Sequence, residues 1–246
     1  MKNKLLSFIF AICLIIPCAL FVGCSKEKDE TRTSTGLIFE LINDDKEYSV
    51  AGIGQCADTE IIIPSTHNNK KVTAISHYAF KDCDVIMSIV MPNSIKKIGD
   101  SVFEDCDYLE KVVLSNSLTE LSYRAFAECV RLIEIDMSTS FKEIGAEAFL
   151  NCDKLNYIPG LNTVNSIGES AFANCGGLRS VSIPNTITYI GESAFKNCDN
   201  LRSISFPNSI SQIKDKVCYD CDQLYSVSIP ENIIGIGNSA FKNCKN

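Results

Sequence analysis

The stretch Cys175-Gly176-Gly177-Leu178-Arg179-Ser180-Val181-Ser182-Ile183-Pro184, closed by Glu192-Ser193-Ala194-Phe195-Lys196-Asn197-Cys198, decides the fold. Leu178, Val181 and Ile183 recur at i+3 and i+5, and the end of the run alternates in and out as a short strand does. Pro184, like Pro92, Pro207 and Pro230, ends the strand, because proline brings no N–H to a ladder. Ile187 and Ile190 supply a second apolar pair, and Gly191 lets the backbone turn. Glu192 to Cys198 has room for one helical or 3-10 turn that inserts Ala194 and Phe195 into a core. Asn197, beside the cysteine, suits the turn into the next strand.

Outward from this unit the chain repeats it in phase. Cys83, Cys106, Cys129, Cys152, Cys175, Cys198, Cys221 and Cys244 stand 23 residues apart without exception. Phe80, Phe103, Phe126, Phe149, Phe172, Phe195 and Phe241 keep the same register, with Cys218 where the missing aromatic belongs. Leu109, Leu132, Leu155, Leu178, Leu201 and Leu224 mark a third column. A fixed period of this size is the signature of a solenoid, in which each unit buries its apolar face only against its neighbours. The expected architecture is an α/β solenoid of about eight coils. Each coil contributes one short strand to a parallel sheet and one short helical or 3-10 turn.

This pattern resembles the BspA-like leucine-rich repeats, the 23-residue type of bacterial surface proteins. The resemblance covers Asp58 to Asn246. The segment 37–57, with Tyr48 and Val50 alternating as a strand, reads as an N-terminal cap, which a solenoid end requires. The interval from Cys56 to Cys83 is 27 residues, and the excess falls around His67-Asn68-Asn69-Lys70. Ser115 and Ser138 replace the strand-ending proline, while Pro159 comes two places early beside Gly160 in a core column. A distorted coil with a bend or bulge is expected there. Lys245-Asn246 follows the last cysteine directly, so the final coil leaves an apolar edge that is exposed or covered by something else.

Residues 1–23 read as an export signal: Lys2 and Lys4, then an apolar run from Leu5 to Val22. Leu20-Phe21-Val22-Gly23-Cys24 resembles the lipobox of bacterial lipoproteins, which implies a lipid, palmitate among its acyl chains, on Cys24. Ordinary signal cleavage and a retained anchor are the alternatives. Residues 24–36 carry charge and threonine but no apolar side chain, and so form a tether. The tether also resembles the acidic post-cysteine signals of lipoproteins displayed on the outer membrane's outer face; an ordinary solvated linker, or a lipoprotein facing the periplasm, is the alternative.

The charge balance is 23 basic against 30 acidic residues, net −7. That argues against nucleic acid as a partner, since neutralising phosphate needs clustered positive charge. His67 and His77 are the only histidines, and no G-x-S-x-G elbow, P-loop or paired-histidine motif accompanies the serines. No enzyme activity, metal or cofactor is expected. Thiols stacked on adjacent coils have parallel Cα–Cβ vectors about 4.8 Å apart. A disulfide wants Cβ atoms roughly 3.8 Å apart and facing each other, and a stack cannot surround one zinc ion tetrahedrally. The column therefore reads as buried reduced thiols packed as small apolar groups. On that reading, serine there buries a hydroxyl with no assured partner. Cys218-Tyr219-Asp220-Cys221 matches C-x-x-C only because Cys218 takes a phenylalanine position.

What remains for function is surface. Outward columns of the sheet run Ser88, Lys111, Glu134, Tyr157, Ser180, Ser203, Ser226 and Val90, Val113, Asp136, Pro159, Ser182, Ser205, Ser228. The candidate binding residues are Arg179, Ser180, Ser182, Arg202, Ser203, Ser205, Tyr225, Ser226 and Ser228, with the arginines and the tyrosine as anchors. Repeat architecture implies an extended protein-binding surface, and the family resemblance implies adhesion to host matrix or other cells. A carbohydrate- or mucin-binding lipoprotein is the runner-up.

Overall fold

The computed structural model describes residues 33–137, 140–158 and 160–245. The export signal, Cys24 and the tether as far as Arg32 lie outside the described residues, as do Ser138 and Pro159.

Each coil makes three sides. The first is the parallel sheet. Glu60–Ile62, Ser88–Val90, Lys111–Val113 and Glu134–Asp136 form a four-stranded sheet. Ser180–Ser182, Ser203–Ser205 and Ser226–Ser228 form a three-stranded one. The middle residue of each internal strand points inward, as Ile89, Val112, Ile135, Val181 and Ile204 do, all buried. The two sheets do not join. Asn156 to Ile158 forms no strand, and Gly160 instead takes a left-handed φ of 68° at the start of a 3-10 turn, Leu161–Thr163. Gly160 and the 3-10 turn thus interrupt the ladder in the coil where a distortion was expected.

The second side is a row of two-residue strands. Glu120–Leu121, Glu143–Ile144, Ser166–Ile167 and Tyr189–Ile190 pair in parallel, and Gln212–Ile213 pairs with Gly235–Ile236. Glycine follows several of these strands for a reason other than a special turn. A Cβ on Gly191 would lie 2.4 Å from Glu169 N, and one on Gly168 2.5 Å from Ala146 N. Neither has positive φ; the coils simply approach too closely there for a side chain.

The third side carries the aromatic column, and here the structure differs from the expected helical or 3-10 turn. Each coil runs through successive turns that contain two left-handed residues, such as Ser170 (φ 51°) and Asn174 (φ 60°). Left-handed residues break a helix, and alternate N–H groups then point across to the next coil. Ser170 N, Phe172 N and Asn174 N donate to Glu192, Ala194 and Lys196 carbonyls at 2.9, 2.9 and 2.8 Å. The chain trades helical bonds for a ladder between coils.

Phe80, Phe103, Phe126, Phe149, Phe172 and Phe195 stack beneath this ladder with ring centroids 5.2–5.6 Å apart and planes within 9°. At the N-terminal end, Ile38–Ile42 and Glu47–Gly52 form an antiparallel hairpin, whose second strand pairs in parallel with Lys70–Ile75. The insertion makes a smaller hairpin: Thr66 and His67 pair with Lys71 and Lys70. Asn68 and Asn69 turn it at φ 46° and 61°, as a two-residue turn of this hand requires.

Candidate binding face

The sheet side of the solenoid presents side chains in columns, one residue per coil. Its C-terminal half carries the sequence-predicted residues. Ser180, Ser182, Ser226 and Ser228 are exposed, and Ser203 and Ser205 are half-buried. Ser205 donates to Ser182 Oγ at 3.3 Å, so this column is in contact from coil to coil. Arg179, Arg202 and Tyr225 occupy one column beside them, joined by backbone bonds Arg202 N to Arg179 O (2.8 Å) and Tyr225 N to Arg202 O (3.1 Å). Both guanidinium groups lack a hydrogen-bond or ion-pair partner among the described residues, and Tyr225 is 67% exposed. Gly176 and Gly177 leave a shallow notch next to Arg179 and Arg202, walled by Asp153, Lys154, Asp199 and Asn200.

The N-terminal half differs in chemistry. Val85, Met87, Tyr108 and Ile133 are exposed apolar residues. Arg131 lies 4.5 Å from the Tyr108 ring centroid, and Lys111 pairs with Glu134 at 2.8 Å. Sequence reasoning passed over this group, although a signal existed. Two and four places after the cysteine, later coils carry Lys154, Gly177 and Asn200, or Asn156, Arg179 and Arg202, where the early coils carry Val85, Tyr108, Met87 and Ile133 beside Arg131 and Glu110.

The ten cysteines from Cys56 to Cys244 are free. Their thiols are better partnered than the sequence suggested. Cys106, Cys129, Cys152, Cys175, Cys198 and Cys221 each donate to the carbonyl of the phenylalanine in the coil before, at 3.0–3.2 Å. The expectation that a hydroxyl there finds no acceptor is therefore corrected: a phenylalanine carbonyl waits at the rungs from Cys106 to Cys221. Burial pushes the Cys106 thiol up to about 12 and raises Cys129, Cys152 and Cys198 well above the usual thiol range, so these are inert protonated groups. Cys218 is raised by its hydrogen bond to Cys221 and by burial, and both are fully buried. His77 accepts the Asp100 N–H at 2.9 Å. Among the described residues, no group of three His, Cys, Asp or Glu side chains is placed to hold a metal ion.

Polar ladders hold the turn side. Asn197 donates to Asn174 Oδ1 at 2.7 Å, and Asn174 donates to Asn151. Arg124 bridges three coils through Glu104 at 3.1 Å and through Glu147. Burial pushes the Glu104 carboxyl upward, but hydrogen bonds from Ser101, Arg124 and Lys81 outweigh it and hold that carboxyl below its usual range. Asn197 Oδ1, at the end of the asparagine ladder, is buried without a hydrogen-bond partner among the described residues.

The comparisons agree with this geometry. The model of the BspA type leucine rich repeat region matches residues 53–178 and 126–246. The solved T. pallidum leucine rich repeat protein is similar in structure, with TM-score 0.61 and 24% identity over 85% of this chain and 87% of that one. A leucine-rich repeat protein from Bacteroides ovatus gives TM-score 0.51 and 20% identity over 85% and 79%. No curated protein matches the sequence. Sheets, stacked phenylalanines and the family match converge, and the chain belongs to the BspA type leucine-rich repeat family.

Proposed function

We propose that the protein is a non-catalytic binding module, held at the bacterial cell surface by lipid on Cys24 and using its sheet side to adhere to host matrix proteins or to other cells. The observation that carries this reading is the pair of unpartnered guanidinium groups, Arg179 and Arg202, beside small serine columns. Arginine and tyrosine are the usual anchors of protein interfaces. Small side chains around them let a partner's backbone come close. A lipid at Cys24 with two or more acyl chains gives stable anchoring, since one chain binds only marginally.

The test is a binding screen of the full chain against immobilised matrix proteins, mucin glycans and other cells. The reading expects saturable binding to a protein, weakened by Ser203→Lys with Ser205→Lys. Binding to glycans alone favours the runner-up, for which Tyr108, Tyr157 and Tyr225 are the exposed rings on the sheet side. Mass spectrometry of membrane-extracted protein should show an acylated Cys24 at the N-terminus; an unmodified one rejects the anchor.

A further inference from the structure

The sheet's N-terminal half has its own chemistry, distinct from the serine and arginine columns. Met87, Glu110 and Ile133 stand in one column, set by backbone bonds Glu110 N to Met87 O (2.9 Å) and Ile133 N to Glu110 O (3.0 Å). Met87 is 44% and Ile133 45% exposed, while Glu110 between them is half-buried. Its carboxylate forms no hydrogen bond or ion pair with the described residues. Val85 and Tyr108 extend the apolar surface on the adjoining column. Val85, Met87, Tyr108 and Ile133 thus expose apolar side chains on three successive coils.

We propose that Met87, Tyr108, Glu110 and Ile133 form a docking surface for a protein segment that combines apolar side chains with a lysine or arginine, whose cationic group seats on Glu110. This rests on the reading that the sheet side binds protein. Charge complementarity commits the occupant. The two cations nearby are engaged, Lys111 with Glu134 and Arg131 over Tyr108. The carboxylates around the patch, Asp84, Asp107, Glu110 and Asp136, have no such partners among the described residues. An acidic partner would meet four free carboxylates, whereas a basic one supplies what each lacks. Aromatic residues and methionine are the types enriched at interface centres.

Fluorescence anisotropy tests this with a labelled synthetic peptide alternating lysine and leucine, titrated with the full 246-residue chain at low and high salt. A peptide alternating glutamate and leucine serves as control. Glu110→Gln should weaken binding of the lysine peptide at least tenfold and reduce its salt dependence. Met87→Ser with Ile133→Ser should weaken it about as much with the salt dependence retained. Ser203→Gln with Ser205→Gln should leave it unchanged, and circular dichroism melting should show every variant folded. Equal affinity of Glu110→Gln and the parent chain overturns the proposal. So does equal affinity for the glutamate peptide, or no binding of the lysine peptide at all. A loss seen only in the serine variants also overturns it, but leaves the sheet side as a protein-binding face. Conversely, Glu110-dependent peptide binding without any matrix protein or cell bound overturns the adhesion reading alone.

Discussion

Replacing Cys152 separately by alanine and by serine tests whether the cysteine column is a hydrogen-bonded ladder or only apolar filling. Cys152 is fully buried and donates to Phe126 O at 3.1 Å. Alanine removes that bond, but Phe126 O keeps the Cys129 N–H at 3.3 Å, so this part costs only about 0.5–1 kcal/mol. The missing sulfur leaves a small void between coils, worth about 1–1.5 kcal/mol. Cys152→Ala should therefore lose about 1.5–2.5 kcal/mol in all. Serine leaves much the same void but offers an O–H to the waiting carbonyl, so Cys152→Ser should lose about 1–2 kcal/mol, no more than alanine. Urea unfolding followed by circular dichroism in reductant, compared at equal m-value, measures both. A serine variant less stable than the alanine variant by more than about 1 kcal/mol would refute the ladder, since only a hydroxyl without an acceptor costs that much.

Other outcomes follow from the same contacts. Phe149 lies between Phe126 and Phe172 at 5.6 and 5.3 Å, so Phe149→Ala should lose about 3–5 kcal/mol by the same unfolding assay. Arg124→Gln should lose about 2–3 kcal/mol at pH 7 because buried Glu104 keeps only part of its pairing. Glu104 sits below its ordinary value of 4.5 when folded, so its contribution is present above that pH and lost as pH falls through the folded value. Without Arg124 the folded value moves back up toward 4.5, so the stability lost to acid should be smaller than in the parent chain in unfolding measured from pH 7 to 3. The ladder thiols titrate the other way. Cys106 rises from 9.0 to about 12 on folding, so stability should hold below pH 9 and decline between 9 and 12. At pH 8 a thiol reagent should modify half-buried Cys244 first and reach the inner rungs only in denaturant.

Much of this was legible in the sequence because a solenoid writes its geometry as a period. The cysteine, phenylalanine and leucine columns gave the coils, the alternation Ser180-Val181-Ser182 gave the strand, and Pro159-Gly160 marked the broken coil. The turn side was not legible. Its first left-handed position is filled by Tyr78, Ser101, Arg124, Glu147 and Lys216 among others, residue types that share no turn preference; contact with the next coil imposes the conformation. Nor could spacing reveal the thiol bonds, because the acceptor is a backbone carbonyl 26 residues earlier, which carries no residue signature. In the structure Ser180, Ser182, Ser226, Ser228 and both arginines are exposed on the sheet side, while Ser203 and Ser205 are half-buried. Met87 and Ile133 were missed because their column, one place before each strand, was read for function only in the later coils, where it carries Arg179, Arg202 and Tyr225.

The claim that the sheet side is where this protein meets another is tested most directly by comparing faces. Once a matrix protein or cell is captured, its affinity for the full chain should be measured by surface plasmon resonance against two sets of variants. Arg179→Ala with Arg202→Ala changes the sheet side, and Thr188→Ala with Gln212→Ala changes the exposed row of short strands. The account predicts at least a tenfold loss for the arginine pair, equivalent to about 1.4 kcal/mol, and an unchanged affinity for the other. Equal affinity in both sets, or loss confined to Thr188 and Gln212, would contradict it.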